Sequence, residues 1–257
     1  MTNKFIIITN DSKKAILLKN KLFKILLKNK WTLDENNYDY VFVIGGDGTF
    51  LRSTHKYLDK KIIPINGGNL GYYSFFNGGN LKEILKHISK DENYIHPTMI
   101  SGTIDNEKYF ALNEIIVRGD TSLILDIKID NIFYEKFRGT GLMFSTPLGS
   151  TAQSKSANGA VIYPQLDVIQ LIEIEPISQK EYLSLKSPLI LDSDVVIKIK
   201  CNFNCSVSSI IVDGHLEEKK FINSEMIIKS TKATFLLFNI KNKKVYLNKL
   251  KNSFMRG

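Results

Sequence analysis

The stretch that decides the fold is Tyr40-Val41-Phe42-Val43-Ile44-Gly45-Gly46-Asp47-Gly48-Thr49-Phe50-Leu51. Its first part, Tyr40–Ile44, is a short apolar run rich in β-formers, which is typical of a strand covered on both faces. Three glycines in the next four residues allow a sharp turn and leave backbone N–H groups uncovered by side chains. Thr49 is a candidate N-cap for a helix over residues 49–58. The stretch therefore predicts strand, glycine turn and helix, and the N-terminus of such a helix attracts phosphate.

Asp47 is the unusual residue of this turn, because a carboxylate beside bound phosphates is repelled unless it has a chemical role. It could hold a metal ion or accept a proton from an attacking hydroxyl group. It could equally be an ordinary turn residue whose side chain caps the helix. The local pattern leaves these interpretations open.

The segments on either side extend the pattern into a sheet. Phe5–Thr9 and Ile62–Ile65 are further apolar runs of strand length, and Ser12 is a candidate N-cap for the helix between them. Strands that alternate with helices predict a parallel, Rossmann-like sheet with right-handed crossovers. Ligands of such sheets bind at the carboxyl ends of the strands, where Gly45–Gly48 lies. We therefore predict an α/β domain over residues 1–97.

After Pro97 the pattern changes to short segments of alternating polarity. Its central strands are predicted at Tyr109–Arg118, Ser122–Ile129, Ile132–Phe137 and Leu142–Ser145. Hairpin turns are predicted at Asp105-Asn106, Asp130-Asn131 and Asp213-Gly214. One helix is expected near residues 150–157. The pattern as a whole predicts an all-β, sandwich-like domain over residues 98–242.

The composition is that of an ordinary soluble globular protein, with 43% hydrophobic and 24% charged residues. The net charge is +9, but the lysines are scattered and do not alternate with aromatic residues, so we expect no nucleic-acid partner. No apolar run reaches the length of a membrane span, so we expect a cytoplasmic protein without a membrane partner. Cys201 and Cys205 are expected to be reduced there.

Asn113-Glu114 is a polar pair inside an otherwise apolar strand. Adjacent strand residues face opposite sides, so at least one of the two side chains should be buried or should lie at a bend. A buried amide or carboxylate needs hydrogen-bond partners, which a ribose diol and an adenine edge could supply. A turn at the end of a strand would also account for this dipeptide.

Two motifs resemble those of a known family. Gly45-Gly46-Asp47-Gly48-Thr49 resembles the GGDGT signature of NAD kinases, which diacylglycerol and sphingosine kinases share and phosphofructokinases share distantly. The run Arg138-Gly139-Thr140-Gly141-Leu142-Met143-Phe144-Ser145-Thr146-Pro147-Leu148-Gly149-Ser150-Thr151-Ala152 resembles the NAD kinase run GDGLIVSTPTGSTAY. Leu70-Gly71-Tyr72 is similar to the Leu-Gly-Phe of that family. Both long motifs stand in the order and at the separation that the family has, so the resemblance is to the NAD kinase family.

The chain departs from the family pattern at three positions. Thr140 stands where the family has aspartate, Gln153 where it has tyrosine, and Asn158 where it has one of two paired glycines. Thr140 keeps a hydrogen-bonding group but loses a charge, and Gln153 loses an aromatic face. These changes put the carried-over substrate contacts of Thr140 and Gln153 in question.

The resemblance implies an ATP-dependent kinase that transfers the γ-phosphate of ATP to the 2′-hydroxyl of the adenosine ribose of NAD, giving NADP. It gives Asp47 the role of general base. The other NAD- and ATP-binding residues that it implies are Gly45, Gly46, Gly48, Arg52, Asn113, Glu114, Arg138, Thr140, Thr151, Ala152, Ser156, Glu175 and Asp213. Arg138 could also be a surface arginine at a strand end, and Asp213 an ordinary hairpin residue.

The resemblance also implies a divalent cation, Mg²⁺ or another, that binds with ATP, and a homodimer or homotetramer joined through the β domain. Residues 243–257 would return to the α/β domain. Polyphosphate could replace ATP as the donor. Two alternatives stay open: a lipid kinase of the diacylglycerol or sphingosine type, and a catalytically silent nucleotide-binding sensor.

Overall fold

The computed structural model describes residues 3–57, 59–68, 71–201, 209–217, 224–239 and 243–255. The chain forms two compact units: Met1–Pro97 together with Ala233–Gly257, and Thr98–Lys232. The helices are α1 (Lys13–Lys28), α2 (Asp47–Thr54), α3 (Ile84–Ile88), α4 (Gln153–Ser156) and α5 (Lys243–Phe254). The strands are β1 (Lys4–Thr9), β2 (Thr32–Leu33), β3 (Tyr40–Gly45), β4 (Lys61–Asn66), β5 (Phe76–Asn77), β6 (Tyr94–Ile95), β7 (Thr98–Ile104), β8 (Glu107–Ala111), β9 (Glu114–Ile129), β10 (Ile132–Ser145), β11 (Val168–Ile174), β12 (Leu189–Asp192), β13 (Val196–Cys201), β14 (Ser209–Val212), β15 (His215–Glu217), β16 (Glu225–Lys232) and β17 (Leu236–Phe238). Short 3-10 turns lie at Leu81–Glu83, Asp91–Asn93 and Gly149–Thr151.

The first unit is built on one sheet with the strand order β2-β1-β3-β4-β17-β6, and β5 also pairs with β4. All its pairings are parallel except that of β17 with β6. Every residue of β3 is buried, as expected for a central strand covered on both faces. Gly45 at the end of β3 stands in register with Asn66 at the end of β4, so the loops that follow these strands begin at the same edge of the sheet. The predicted α/β architecture is confirmed.

Helix α1 begins where the sequence predicts. The Ser12 hydroxyl accepts a hydrogen bond from the backbone N–H of Ala15 at 3.2 Å and so satisfies one of the free amides of the first turn. The residues of α1 buried against the sheet recur every three or four positions and are Ala15, Leu18, Leu22 and Leu26. This spacing places them on one face of the helix, which explains why α1 packs stably on β1 and β3.

The return segment begins before the predicted residue Lys243. Strand β17 is parallel to β4 and antiparallel to β6, so the chain from Ala233 onwards belongs to the first unit. Helix α5 follows at Lys243–Phe254. The last two residues of the predicted segment, 256 and 257, lie outside the described residues.

The second unit is a ten-stranded antiparallel sheet organised around the long strand β9. β9 pairs with β10 along most of its length, with β14 along its first part and with β13 along its last part. The largest apolar core cluster draws its residues from eight of these strands, including Val117, Phe137 and Ile228. The predicted all-β unit is confirmed, with α4 as its one helix among the described residues.

The three predicted hairpin turns have the backbone that their sequences favour. Both central residues have positive φ at Asp105-Asn106 (46° and 68°), Asp130-Asn131 (49° and 66°) and Asp213-Gly214 (49° and 79°). This is the type I′ geometry, whose twist matches that of the flanking strands.

Strand lengths and the helix of the second unit differ from the prediction. The predicted strand Tyr109–Arg118 is interrupted at residues 112–113. Its second part joins the predicted strand Ser122–Ile129 to form β9, and the predicted strands Ile132–Phe137 and Leu142–Ser145 join to form β10. The predicted helix 150–157 is a 3-10 turn followed by α4, because the backbone of Ala152 between them is not helical (ψ −133°).

Two expectations drawn from composition concern the surroundings of the protein. No helix within the described part of the chain has the length and apolar character needed to cross a membrane. Cys201 is buried at the end of β13, and the expected state of the two cysteines depends on a residue that the structure does not describe. The other cysteine, Cys205, lies outside the described residues.

Candidate active site

The glycine turn between β3 and α2 forms the centre of the first unit's candidate site. Helix α2 begins at Asp47 with Gly46 as its N-cap, so the prediction that Thr49 caps it is wrong. The backbone N–H of Thr49 already donates to the Gly46 carbonyl at 3.0 Å, which places Thr49 inside the first helical turn. None of the three glycines has positive φ, so backbone freedom is not what selects glycine here.

The three glycines differ in the space that surrounds each of them. A Cβ at Gly45 would lie 2.7 Å from the side chain of Thr49, so the chain itself requires glycine there. A Cβ at Gly46 would meet nothing within 4 Å, and one at Gly48 would meet only the Arg52 guanidinium at 3.6 Å. Nothing in the described chain therefore requires glycine at Gly46 or Gly48. An open surface over the first amides of a helix fits the close approach of a phosphate group.

The Asp47 carboxylate points away from its own helix. Its Oδ2 accepts a hydrogen bond from the Tyr72 N–H at 3.0 Å, and its Oδ1 accepts one from the Tyr73 N–H at 3.4 Å. No side chain caps α2, so the interpretation of Asp47 as a helix cap is wrong. Burial raises the pKa of Asp47, against the two N–H groups and the charge of Lys249, which lower it. The carboxylate is thus held in place while its proton affinity is increased.

Lys249 on α5 is a neighbour of Asp47 that the sequence did not reveal. Its Nζ donates to the carbonyls of Tyr72 at 2.9 Å and Ser74 at 2.6 Å. Burial lowers the pKa of Lys249 to about 8, while the nearby charge of Asp47 acts in the opposite direction. The sequence holds many lysines, and α5 has no fully buried residue, so no local signal distinguishes this lysine.

Arg52 supplies a second cation beside the glycine turn. It lies one helical turn after Gly48, and its Nη1 lies 3.6 Å from the position of a Cβ on Gly48. The guanidinium therefore extends back towards the start of α2. The first unit brings together the glycine turn, the carboxylate of Asp47 and the cations of Arg52 and Lys249.

In the second unit, Asn113 and Glu114 lie at the buried corner between β8 and β9. The Asp213 carboxylate accepts hydrogen bonds from three consecutive N–H groups of this corner, those of Leu112 (2.9 Å), Asn113 (2.6 Å) and Glu114 (3.3 Å). Asp213 is also the first residue of the β14–β15 turn. It is thus a hairpin residue that anchors the corner as well.

Glu114 is only 2% exposed, and its Oε2 has no hydrogen-bond partner among the described residues. Burial raises the pKa of Glu114 to about 8, and the charge of Asp213 acts in the same direction. An unpaired buried carboxyl oxygen is costly, and a hydroxyl group of a bound ligand would satisfy it.

The hydroxyl-rich segment after β10 packs directly on this corner. Thr146 donates from its backbone N–H to the Asn113 carbonyl at 2.9 Å and from its hydroxyl to the Leu112 carbonyl at 2.6 Å. A Cβ at Gly149 would lie 2.1 Å from the Asn113 carbonyl oxygen, so no other residue fits there. The two motifs that were separate in the sequence therefore form one structure. Thr151 and Ala152 follow, half-buried, at the start of α4.

A cavity of about 560 Å³ lies beside α4 in the second unit. Among the predicted residues, Ser156 and Glu175 line it, and so does Gln153. Arg118 and Lys186 line it too and were not predicted. Asn158, also at the wall, has φ 61°, a conformation that asparagine tolerates better than most residues. Asn158, which stands where the family has glycine, therefore suits the backbone of this position.

Arg138 and Thr140 lie on β10 and do not line this cavity. The Arg138 guanidinium donates to the Gln179 side chain at 3.0 Å and lies over the Tyr182 ring at 5.4 Å. The Thr140 hydroxyl donates to the Ile174 carbonyl at 3.3 Å. Their ligand contacts stay predictions. Leu70 of the Leu70-Gly71-Tyr72 motif lies outside the described residues.

Comparison with family models places most of the chain in two known domains. Residues 30–94 match the ATP-NAD kinase N-terminal domain, and residues 112–239 match the ATP-NAD kinase C-terminal domain.

Curated relatives are similar over nearly the whole chain. An NAD kinase of Mycoplasmoides gallisepticum is 34% identical, over 99% of this chain and 95% of that protein. An NAD kinase of Mycoplasma genitalium is also 34% identical, over 92% of this chain and 93% of its own length.

Two solved structures share the fold. The yeast NADH kinase complexed with NADH has a TM-score of 0.82 at 20% identity and covers 99% of this chain and 87% of its own. An NAD kinase from Archaeoglobus fulgidus in complex with ATP has a TM-score of 0.79 at 21% identity and covers 99% of this chain and all of its own.

Proposed function

The chain belongs to the NAD kinase family, and we propose that it transfers the γ-phosphate of ATP to the 2′-hydroxyl of the adenosine ribose of NAD with Asp47 as the general base. The observation that carries this role is the carboxylate held by the Tyr72 and Tyr73 N–H groups beside an open glycine turn. A base must accept the hydroxyl proton near working pH, and the burial that raises the pKa of Asp47 moves it in that direction.

The phosphate groups of ATP would bind over Gly46 and Gly48. The first amides of α2 supply hydrogen-bond donors, and the N-terminal end of the helix favours negative charge. Arg52 carries a permanent positive charge beside the same turn. Since phosphoryl transfer depends chiefly on positioning and charge neutralisation, these groups would orient the γ-phosphate and stabilise the charge of the transition state.

The residues of the second unit would bind the NAD substrate. Glu114 has an unpaired carboxyl oxygen that a ribose hydroxyl group can satisfy, and Asn113 lies beside it. Asp213 would act as a positioning residue, since its carboxylate fixes the backbone of this corner. Further nucleotide contacts are proposed for Thr151, Ala152, Ser156 and Glu175, with Arg138 and Thr140 as additional contacts.

The described residues offer few ligands of their own to a divalent cation. No three His, Cys, Asp or Glu side chains come together within the described ranges, and the glycine turn contributes the single carboxylate of Asp47. Mg²⁺ commonly binds through one or two carboxylates and the phosphates of its nucleotide, so these residues fit a cation that ATP carries. When bound, the cation would neutralise phosphate charge, with the phosphate groups of ATP as its main ligands.

A coupled assay tests the function and the base together. Purified protein with ATP, Mg²⁺ and NAD should form NADP, detected with an NADP-specific dehydrogenase. Asp47→Asn should reduce kcat by roughly 10²–10⁴-fold, the usual contribution of a positioned base, while calorimetry finds NAD affinity little changed. Asp39→Asn, an exposed aspartate before β3, is the matched control and should retain full activity.

Each alternative predicts a different result. A lipid kinase would form no NADP and would phosphorylate diacylglycerol or sphingosine instead. A silent sensor would bind the nucleotides without turnover. NADP formation by Asp47→Asn at a near-normal rate would remove Asp47 from the role of base and leave the kinase assignment in place.

The proposal also covers the location and the assembly of the enzyme. We propose a cytoplasmic location, where ATP and NAD are both plentiful. We also propose a homodimer or homotetramer assembled through the second unit, with ATP or polyphosphate as the phosphoryl donor. Light scattering of the purified protein measures the assembly directly.

A further inference from the structure

We infer that Lys249 is a positioning residue for Asp47: through two hydrogen bonds it holds the segment Tyr72–Ser74, whose backbone N–H groups in turn hold the carboxylate. This inference rests on the proposed role of Asp47 as the base. It adds a supporting residue, Lys249 on α5, which lies about 200 positions after Asp47 in the sequence.

One peptide group connects the two side chains. The Nζ of Lys249 donates to the carbonyl oxygen of Tyr72 at 2.9 Å. The N–H of that same peptide group belongs to Tyr73 and donates to Oδ1 of Asp47 at 3.4 Å. A cation on the carbonyl polarises the peptide and strengthens its N–H as a donor, so the two hydrogen bonds support each other.

The neighbouring peptide groups fix the rest of the segment. The Tyr72 N–H donates to Oδ2 of Asp47 at 3.0 Å, and Lys249 also binds the carbonyl of Ser74 at 2.6 Å. A Cβ at Gly71 would lie 3.3 Å from Oδ1 of Asp47, which shows how closely the backbone approaches the carboxylate. The segment therefore lies between the cation and the anion and is bonded to both.

A second contact from α5 reinforces this arrangement. The Phe254 ring stacks on the Tyr72 ring, with 5.5 Å between the centroids and 27° between the planes. Lys249 and Phe254 thus act on the backbone and the side chain of one residue. Since a general base must be aligned with the attacking hydroxyl group, loosening of Tyr72 misplaces Asp47 without touching either substrate.

The test compares kcat with KM in Lys249→Met. We expect kcat to fall by about 10- to 100-fold, the scale of a small misplacement of a reacting group, with KM for NAD and ATP within about twofold. Lys249→Arg keeps a charged donor and should recover most of kcat. Lys251→Met, an exposed lysine on the same helix, is the matched control and should match the unmodified enzyme.

A double-mutant cycle separates positioning from a structural role. If Lys249 acts through Asp47, Lys249→Met should cause no further loss in kcat when Asp47→Asn is already present. An equal loss in both backgrounds, or kcat within about twofold of normal in Lys249→Met, would overturn the inference. Full activity of Asp47→Asn itself would instead refute the proposed base. Should Lys249→Met fail to fold, Lys249→Gln gives the same comparison with the same expected outcomes.

Discussion

Two aspartates, Asp47 and Asp213, have backbone N–H groups as hydrogen-bond donors. The donors to Asp47 come from residues 25 and 26 positions later, and those to Asp213 from residues 99 to 101 positions earlier. Such partners leave no pattern in the local sequence, because any residue type has the same backbone amide. The local sequence suggested a chemical role for Asp47 and the family resemblance suggested one for Asp213, but only the fold shows which groups orient them.

Glu114 makes the stability of the fold depend on pH. Burial raises its pKa to about 8, from 4.5 in the unfolded chain. Between these values the folded protein keeps the proton that the unfolded chain releases, so the free energy of unfolding falls as pH rises from about 5 to about 8. In Glu114→Gln this loss should be smaller, and urea unfolding at pH 5, 6.5 and 8 measures it.

The exposed Glu181→Gln is the control for this series and should show the same loss as the unmodified protein. Glu135, whose pKa burial also raises to about 8, contributes with the same sign and remains in both variants. An unchanged slope in Glu114→Gln would show that the Glu114 carboxyl group does not take up a proton in this range.

At the scale of elements, the two kinds of glycine should respond differently to substitution by alanine. Gly149→Ala would place a Cβ 2.1 Å from the Asn113 carbonyl, so we expect a loss of about 1–3 kcal/mol in stability, as for other overpacked sites. Gly46→Ala adds its Cβ to open space at φ −91°, so its melting temperature should stay near normal while its KM for ATP rises.

Thermal unfolding of the two glycine variants, followed by ATP titration, gives the comparison directly. Each variant is the control for the other, because both add one methyl group to a glycine of a sequence motif. A melting temperature of Gly149→Ala equal to that of Gly46→Ala would contradict the packing of the hydroxyl-rich segment on the Asn113 corner.

Elements whose signals are local were predictable from the sequence. The Ser12 cap, the buried strand β3 and the Asp-Asn and Asp-Gly turns each depend on a few consecutive residues, and all are present. The break at residues 112–113 agrees with the alternative that Asn113-Glu114 lies at a bend or strand end, but its cause was not predictable, since the carboxylate of Asp213 replaces the strand partner there. Residues 119–121 separate two predicted strands, yet β9 continues through them, and the pairing with β10 shifts its register there, between Gly139 and Gly141.

The candidate site was predictable only in the parts that short runs of consecutive residues identify. The resemblance identified the motifs, and the structure shows that Asn113 and the segment containing Gly149 touch. Lys249 could not be identified in this way. Its hydrogen bond to Tyr72 depends on helix α5, which follows the second unit in the sequence but belongs to the first unit.

At the scale of the whole molecule, the net charge of +9 should assist the capture of anionic nucleotides. Salt screens this attraction over about 10 Å at 0.1 M and about 3 Å at 1 M. We expect kcat/KM for NAD and ATP to fall several-fold between about 50 and 500 mM KCl. Turnover at saturating substrate is the internal control and should change less than about twofold. A kcat/KM that does not respond to salt would rule out this contribution of the charge.

The chain leaves the first unit at residue 97 and re-enters it at Ala233, and this route has a consequence for the protein as it is synthesised. The second unit is continuous, so all of its strands are available once residue 232 has emerged from the ribosome. At that stage the glycine turn of the first unit has been synthesised, but the strand β17 that pairs with β4 has not. Lys249 emerges later still, after β17. The nascent chain therefore completes the surroundings of Asp47 only after the second unit has been translated, and full activity is gained late in translation.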